Sequence, residues 1–339
     1  MHIGLLGAGN ISSTHARAAL AIPGVKVTAV CGPTRDRAAR LAHECAAVTY
    51  DDVEAFLAHQ PMDIVAIGTP SGLHATHATL AVRKGLHVVI EKPIDVSTER
   101  VDALIHEADQ ARVTLGVFFQ DRLKPDFLAA KALIEQGRLG TPVMAAAHVK
   151  WYRDPEYYGQ SRWRGTWALD GGGALMNQGI HAVDALLWLF GPVAVAMAGT
   201  ATRLHAIEVE DTMAAVLRFE NGALGAIEAS TAIFPGYPRR LELTGRNGTI
   251  ILQGDRLAAA SLRDPSADLV SGEASTASPA ATSPVVSDAT AHQRVLEDFI
   301  DAVRCHREPA CSGREARRSV ALVEALYESA RTGRAIAPK

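Results

Sequence analysis

HIGLLGAGNISSTHARAALAI, residues 2–22, is the stretch that decides the fold. HIGLLG reads as a buried strand, GAGNIS as a tight loop, and ISSTHARAALAI as a helix opening directly on that loop. Gly7 permits the turn, and Gly9 lets the backbone approach a pyrophosphate held at the helix N-terminus. Ser12 stands where G-x-G-x-x-G has its third glycine, so the fingerprint is incomplete. Its position between a strand and a helix gives the remaining two glycines their weight.

Working outward, KVTAVC, DIVAIG, HVVIE and TLGVFF are further strand candidates. They alternate with the helical patterns RDRAARLAHECA, VEAFLAH, HATHATLAVRKG and STERVDALIHEADQAR. Near-continuous apolar strands separated by amphipathic helices predict an α/β fold, a doubly wound parallel sheet over residues 1–120. After KPDFLAAKALIEQGRLG the pattern changes. VMAAAHVKW, VAVAMAGTATRL, TMAAVLRFE, ALGAIEASTAI, RRLELTG and GTIILQG follow one another with short polar turns. They predict a second α/β domain, 121–339, on an open, mostly antiparallel sheet. Within it the Ser-, Ala- and Pro-rich stretch 266–288 is expected to be a mobile loop, and helices are expected over 290–331.

The 339 residues suffice for two ordinary cores. A formal charge of −3 gives no basic excess for nucleic acid. No apolar run reaches the roughly 18 residues a membrane span needs, and MHIGLLGAG lacks the features of a signal peptide. Cys31, Cys45, Cys305 and Cys311 show neither pairing nor metal spacing. A cytoplasmic protein without a metal is expected.

The end of the second strand bears on the cofactor. An NAD site usually has an acid there to hold the ribose 2′-OH. AVCGPTRDRA has Gly32 instead, with Thr34, Arg35 and Arg37 close by. Loss of the carboxylate and gain of guanidinium forks favour NADP(H) over NAD.

LMNQGIHAVD, 175–184, sets Asn177, His181 and Asp184 in one row after Gly171 to Gly173. At 100° per residue Met176, Ile180, Val183, Leu187 and Phe190 form a core stripe. Asn177, His181, Asp184 and Trp188 form a second stripe about a quarter-turn away, fit to be a functional wall. The glycines are expected to leave room for a ligand. Upstream, KWYRDPEYYGQSRWRGTWALDGGG carries Trp151, Tyr152, Tyr157, Tyr158, Trp163 and Trp167 interleaved with Arg153, Arg162 and Arg164. Such a mixture suits either a sugar site or a packed, aromatic-anchored contact.

GAGNIS, TP at 69–70, EKP at 91–93, VFFQDRLKP at 117–125 and GGGALMNQGIH resemble the Gfo/Idh/MocA oxidoreductase family along nearly the whole chain. The resemblance implies a Rossmann domain, a second domain whose sheet mediates homodimers or homotetramers, and the nicotinamide at the domain boundary. It implies that Lys92 contacts cofactor and substrate from a cis Lys92–Pro93 peptide, and that His181 exchanges the proton of the reacting hydroxyl. Asn177 departs from the aspartate many members pair with that histidine. A family branch acting on nucleotide-sugar uronates shares the asparagine. An amide orients a hydroxyl or an imidazole but does not titrate. Gln120 and Arg122 match a position near nicotinamide and substrate, and His74 lies on a helix near the cofactor.

The implied activity is NAD(P)-dependent hydride transfer to or from a secondary alcohol or ketone of a sugar, sugar derivative or polyol. Lys92, His181 and Asn177 form the catalytic set. Gly7, Gly9, Asn10, Ile11, Gly32, Thr34, Arg35, Arg37, Thr69, Pro70, His74, Glu91, Lys92, Pro93 and Gln120 form the cofactor set. Lys92, Gln120, Arg122, Trp151, Tyr152, Arg164, Asn177 and His181 form the substrate set. The competing reading is a dinucleotide-binding redox sensor without catalysis.

Overall fold

The computed structural model describes residues 1–263 and 288–339, so the expected loop at 266–288 lies outside the described residues but for its last position. The chain divides into two compact units. No helix among the described residues is long and apolar enough to cross a membrane.

The first unit holds Met1–Gln120 and, of the described C-terminal residues, 288–317. Its elements run β1 (His2–Leu6), α1 (Asn10–Leu20), β2 (Lys26–Cys31), α2 (Arg35–Cys45), β3 (Val48–Tyr50) and α3 (Val53–Leu57). They continue with β4 (Ile64–Ile67), α4 (His74–Arg83), β5 (His87–Ile90), α5 (Thr98–Ala111) and β6 (Leu115–Val117). Six parallel strands pair in the order β3-β2-β1-β4-β5-β6. The order reverses between β1 and β4, and in such sheets ligands bind beyond the strand carboxyl ends at that reversal. Every residue of β4 is buried, as a strand covered on both faces requires.

The sequence reading assigned everything after residue 120 to the second domain. The helix Thr290–Cys305 instead packs on α1 and belongs to the first unit. Its apolar stripe, Val295, Leu296, Phe299 and Ile300, is buried there. Gly116 of β6 makes this possible, since a Cβ at 116 would stand 2.6 Å from the Phe299 ring. Ser312 then forms an antiparallel bridge to Gly116, adding a short edge to the sheet.

The second unit opens with α6 (Pro125–Glu135), β7 (Pro142–Lys150) and α7 (Pro155–Gly159). A π-helix, Ala174–Gly179, leads into α8 (Ile180–Phe190). There follow β8 (Val193–Ala201), β9 (Thr212–Phe219), β10 (Leu224–Ser230), β11 (Arg240–Gly245), β12 (Gly248–Gln253) and β13 (Arg256–Leu262). The seven strands pair as β13-β12-β11-β7-β10-β9-β8, all antiparallel except β7 with β10. Along β9 the pattern alternates strictly, Met213, Ala215, Leu217 and Phe219 inward, Ala214, Val216 and Arg218 outward. One face is therefore core, with α6 and α8 packed against strands of the sheet, and the other faces water. Of the helix Gly313–Thr332, residues beyond Arg317 belong to this unit.

Candidate functional site

In the first unit the glycine loop is built to receive an anion. Gly7 has φ +123°, and a Cβ there would lie 2.5 Å from the Gly68 carbonyl oxygen. A Cβ at Gly9 would meet nothing within 4 Å. The helix α1 starts at Asn10 with no side-chain cap and no acid in its first turn. Open space beside an uncapped helix N-terminus fits a dinucleotide pyrophosphate. Ser12, in place of the third glycine, is buried against Gly7 and Gly68.

Gly32 has a different reason from the one its position suggested. A Cβ there would stand 2.8 Å from the Ala8 Cβ, so the glycine loop itself forbids a side chain at 32. The missing acid is thus a packing requirement. Thr34 caps α2 without a side-chain hydrogen bond, and Arg35 and Arg37 are exposed.

Beyond β4 and β5, the expected cofactor residues Thr69, Pro70 and His74 form a brace. His74 is buried, with Nδ1 2.7 Å from the Pro93 carbonyl and Nε2 2.8 Å from the Thr69 carbonyl. It ties the TP loop to the cis Lys92–Pro93 peptide. Lys92 is half-buried, whereas Glu91 is buried and turned toward His15 and His292. Glu91 was expected among the cofactor ligands; its carboxylate is committed inside the unit. Gln120 closes the unit with its Oε1 buried and facing no donor.

In the second unit the π-helix carries Asn177 and leads into α8 with His181 near its start. Glu210 explains why the chain winds this way. Its carboxylate accepts the N–H groups of Gly173 at 3.0 Å and Leu175 at 2.8 Å, and its carbonyl accepts that of Ala174 at 3.0 Å. The Tyr327 hydroxyl donates to Glu210 at 2.9 Å and accepts from the Met176 N–H at 3.3 Å. The N–H groups a helix start leaves orphaned are all taken by this pair. Burial pushes the Glu210 carboxyl up, against those hydrogen bonds.

The three glycines upstream do not leave room for a ligand at every position. A Cβ at Gly172 would lie 2.0 Å from the Tyr327 hydroxyl, and one at Gly173 would lie 2.1 Å from the Glu210 carbonyl oxygen. The protein's own Tyr327 and Glu210 fill that space.

The core stripe is as expected: Met176, Ile180, Val183, Leu187 and Phe190 are all buried. The polar row is not a single wall. Asn177, His181 and Trp188 are half-buried, but Asp184 is buried. Arg122 grips it through Nε at 2.9 Å and Nη2 at 2.7 Å, and Ser319 donates at 3.2 Å. Burial pushes the Asp184 carboxyl up, and the guanidinium opposes it. Arg122, expected near substrate, is spent anchoring α8. Asn177 donates to the buried Asp170 and accepts from Gln178 at 2.7 Å. Gln178 in turn donates to the Tyr157 hydroxyl at 3.1 Å and accepts from Arg153 at 2.8 Å.

The aromatic segment divides. Trp151, Tyr157 and Tyr158 are buried, with the Arg153 guanidinium over Trp151 at 5.0 Å. Tyr152, Trp163 and Arg164 remain half-buried, Arg164 lying 4.5 Å over Tyr157. Sequence reading missed Asp121, which precedes Arg122 in VFFQDRLKP. It is buried with Lys124 at 2.7 Å and Arg239 at 2.5 Å. Burial alone would raise its pKa, but Arg239, Lys124 and then His181 hold the carboxyl well below the usual range.

Comparison with known proteins agrees with this layout. Residues 1–119 match the oxidoreductase family's NAD-binding Rossmann model, and residues 127–251 match the GFO/IDH/MocA C-terminal domain. The chain belongs to the Gfo/Idh/MocA family of oxidoreductases. The WlbA dehydrogenase of Bordetella pertussis, solved with NADH and UDP-GlcNAcA, is 32% identical, with a TM-score of 0.87 over 99% of this chain and 98% of that one. A D-xylose 1-dehydrogenase (NADP(+)) of Haloferax volcanii is 30% identical over 99% of each chain. Inositol 2-dehydrogenase of Rhizobium meliloti is 28% identical, covering 97% of this chain and 96% of its own. Both halves of this oxidoreductase thus have relatives spanning their full length, and the glycine loop and EKP lie in its NAD-binding half.

Proposed function

We propose that the protein moves a hydride between a nicotinamide dinucleotide and a secondary alcohol or ketone of a sugar or polyol. The observation that carries this reading is the retention, in a chain of this family, of both the EKP amine Lys92 and the imidazole His181. A dinucleotide sensor needs neither. The cofactor, when bound, accepts or gives the hydride. In this reading His181 takes the proton of the reacting hydroxyl, and the Lys92 ammonium donates a hydrogen bond to oxygen on which negative charge grows. The ionised Asp121 carboxylate interacts electrostatically with His181. Asn177, held by Asp170 and Gln178, orients a sugar hydroxyl.

Among substrates, a nucleotide-linked uronate is the first candidate. The relative with UDP-GlcNAcA in its crystal supports it, as does the half-buried Arg164, a fork suited to carboxylate or phosphate. Exposed Arg35 and Arg37 favour NADP(H). The test is absorbance of reduced nicotinamide with NADP+ and NAD+ against UDP-GlcNAcA, pyranoses and polyols. Turnover with at least one member, faster with NADP+, is expected. Tight cofactor binding with no turnover across the panel would leave the sensor.

The protein works as a homodimer or homotetramer in this reading, through the outer face of the second sheet. Val216 and Leu224 are 63% and 58% exposed there, beside Met197 and Met144 in register. Light scattering should give a dimer or tetramer for the native chain and a smaller species for Val216→Glu. A native monomer would remove the assembly.

A further inference from the structure

Among the described residues, His15 of α1, Glu91 after β5 and His292 of the Thr290–Cys305 helix form a closed cluster in the first unit, only 1%, 7% and 2% exposed. His15 Nε2 lies 2.9 Å and His292 Nε2 3.3 Å from the same Glu91 oxygen, Oε1. The other oxygen, Oε2, accepts the backbone N–H of Lys92 at 3.2 Å. Phe118 fixes both ring planes, stacked on His15 at 4.3 Å and tilted against His292 at 5.4 Å.

Two imidazoles and a carboxylate with ligand atoms within 4.8 Å of one another are also the donor set of a metal site. The protons decide between the two. A cation on each Nε2 would leave each ring proton on Nδ1, where it needs an acceptor. Both Nδ1 atoms are buried and face no partner. With the proton on Nε2 each ring donates to Glu91 and buries only a lone pair, the better tolerated orphan. At His15 the same argument disfavours imidazolium. Burial pushes the His15 pKa down, against the pull of Glu91. Burial would raise Glu91, yet the two imidazole donors hold its carboxyl well below its ordinary range. The other titratable groups nearby are His74, whose ring bridges the Pro93 and Thr69 carbonyls, and the buried Asp95, paired with Arg100 at 2.7 Å.

We propose that His15 and His292 are positioning residues for Lys92: through Glu91 they fix the backbone on which that side chain stands. His292 makes the setting of Lys92 depend on the Thr290–Cys305 helix being docked on α1. The inference rests on Lys92 acting at the reacting oxygen.

Two variants separate positioning from bulk packing. His292→Leu keeps volume and removes the donor; His292→Gln restores an N–H of similar reach. With the best sugar of the panel above, His292→Leu should lower kcat roughly 10- to 100-fold. KM and cofactor affinity should stay within about twofold, and the glutamine variant should recover most of the loss. Hydrogen exchange needs no substrate: the peptide bearing the Lys92 amide should exchange at least about tenfold faster in His292→Leu while 295–303 stay protected. Should His292→Leu not fold, Glu91→Gln should show the same fall in kcat. Wild-type kcat and exchange in the leucine or Glu91→Gln variant, or equal losses in the leucine and glutamine variants, would overturn the proposal. So would stoichiometric zinc in the purified protein that His292→Leu loses. A Lys92→Met variant of normal activity would refute the catalytic reading; an inactive one beside a fully active His292→Leu would refute only the positioning.

Discussion

Replacing Lys92 with methionine is expected to lower turnover roughly 100- to 1000-fold, the range for losing one donor aimed at a developing oxyanion. Methionine keeps an unbranched stem of similar length and removes only the ammonium. Nothing in the glycine loop changes, so cofactor affinity, followed by the fluorescence of bound reduced nicotinamide, should stay within a few-fold. Lys92→Arg retains charge but presents a planar fork in place of a compact donor, and should restore little. Unchanged kcat in the methionine variant would take Lys92 out of the chemistry.

Removing Asp121 should produce the largest loss of stability. Its two oxygens each hold a cation, Lys124 at 2.7 Å and Arg239 at 2.5 Å. Arg239 is buried, with the Phe127 ring 5.4 Å away. Asp121→Ala leaves that guanidinium with the Gly254 carbonyl at 3.4 Å and the more distant Asp255 at 3.7 Å, and should cost about 3–5 kcal/mol. The pH dependence has a definite sign. The folded-state pKa of Asp121 is depressed, because Arg239 and Lys124 outweigh its burial. Its stabilisation is therefore complete above the unfolded value of about 3.9 and declines as pH falls below it. Urea titrations should show a constant gap between native and variant from pH 8 to pH 5, narrowing only below about pH 4. A gap under about 1 kcal/mol at neutral pH would mean the pair is stabilising nothing beyond an exposed bridge.

Much of the fold was legible because its signals are local. The doubly wound sheet follows from buried runs such as IVAI alternating with helices, and the second sheet from the strict alternation of β9. The core stripe of α8 was equally plain, because Ile180, Val183, Leu187 and Phe190 repeat at helical spacing. The polar row misled for a physical reason. A fixed 100° step sorts residues by face but does not name their partners: Asn177 and His181 stay half-buried, whereas Asp184 is buried against Arg122 and Ser319.

The glycines show the same limit. Gly9 is open as the motif promised, but Gly172 and Gly173 are glycines because Tyr327 and Glu210 crowd them, and Gly32 because Ala8 does. Sequence names a small residue without naming what fills the space.

By itself the chain determined its family, its glycine loop, its two sheets and the residue types available for catalysis, because each is written in short-range pattern. Tertiary structure alone decided what those residues face. It spent Arg122 on Asp184, turned Glu91 inward to His15 and His292, and brought a helix from beyond residue 288 onto the first unit. Such pairings join residues far apart along the chain, and a buried charge or orphan N–H takes whichever partner the packed fold supplies, a choice no local pattern encodes.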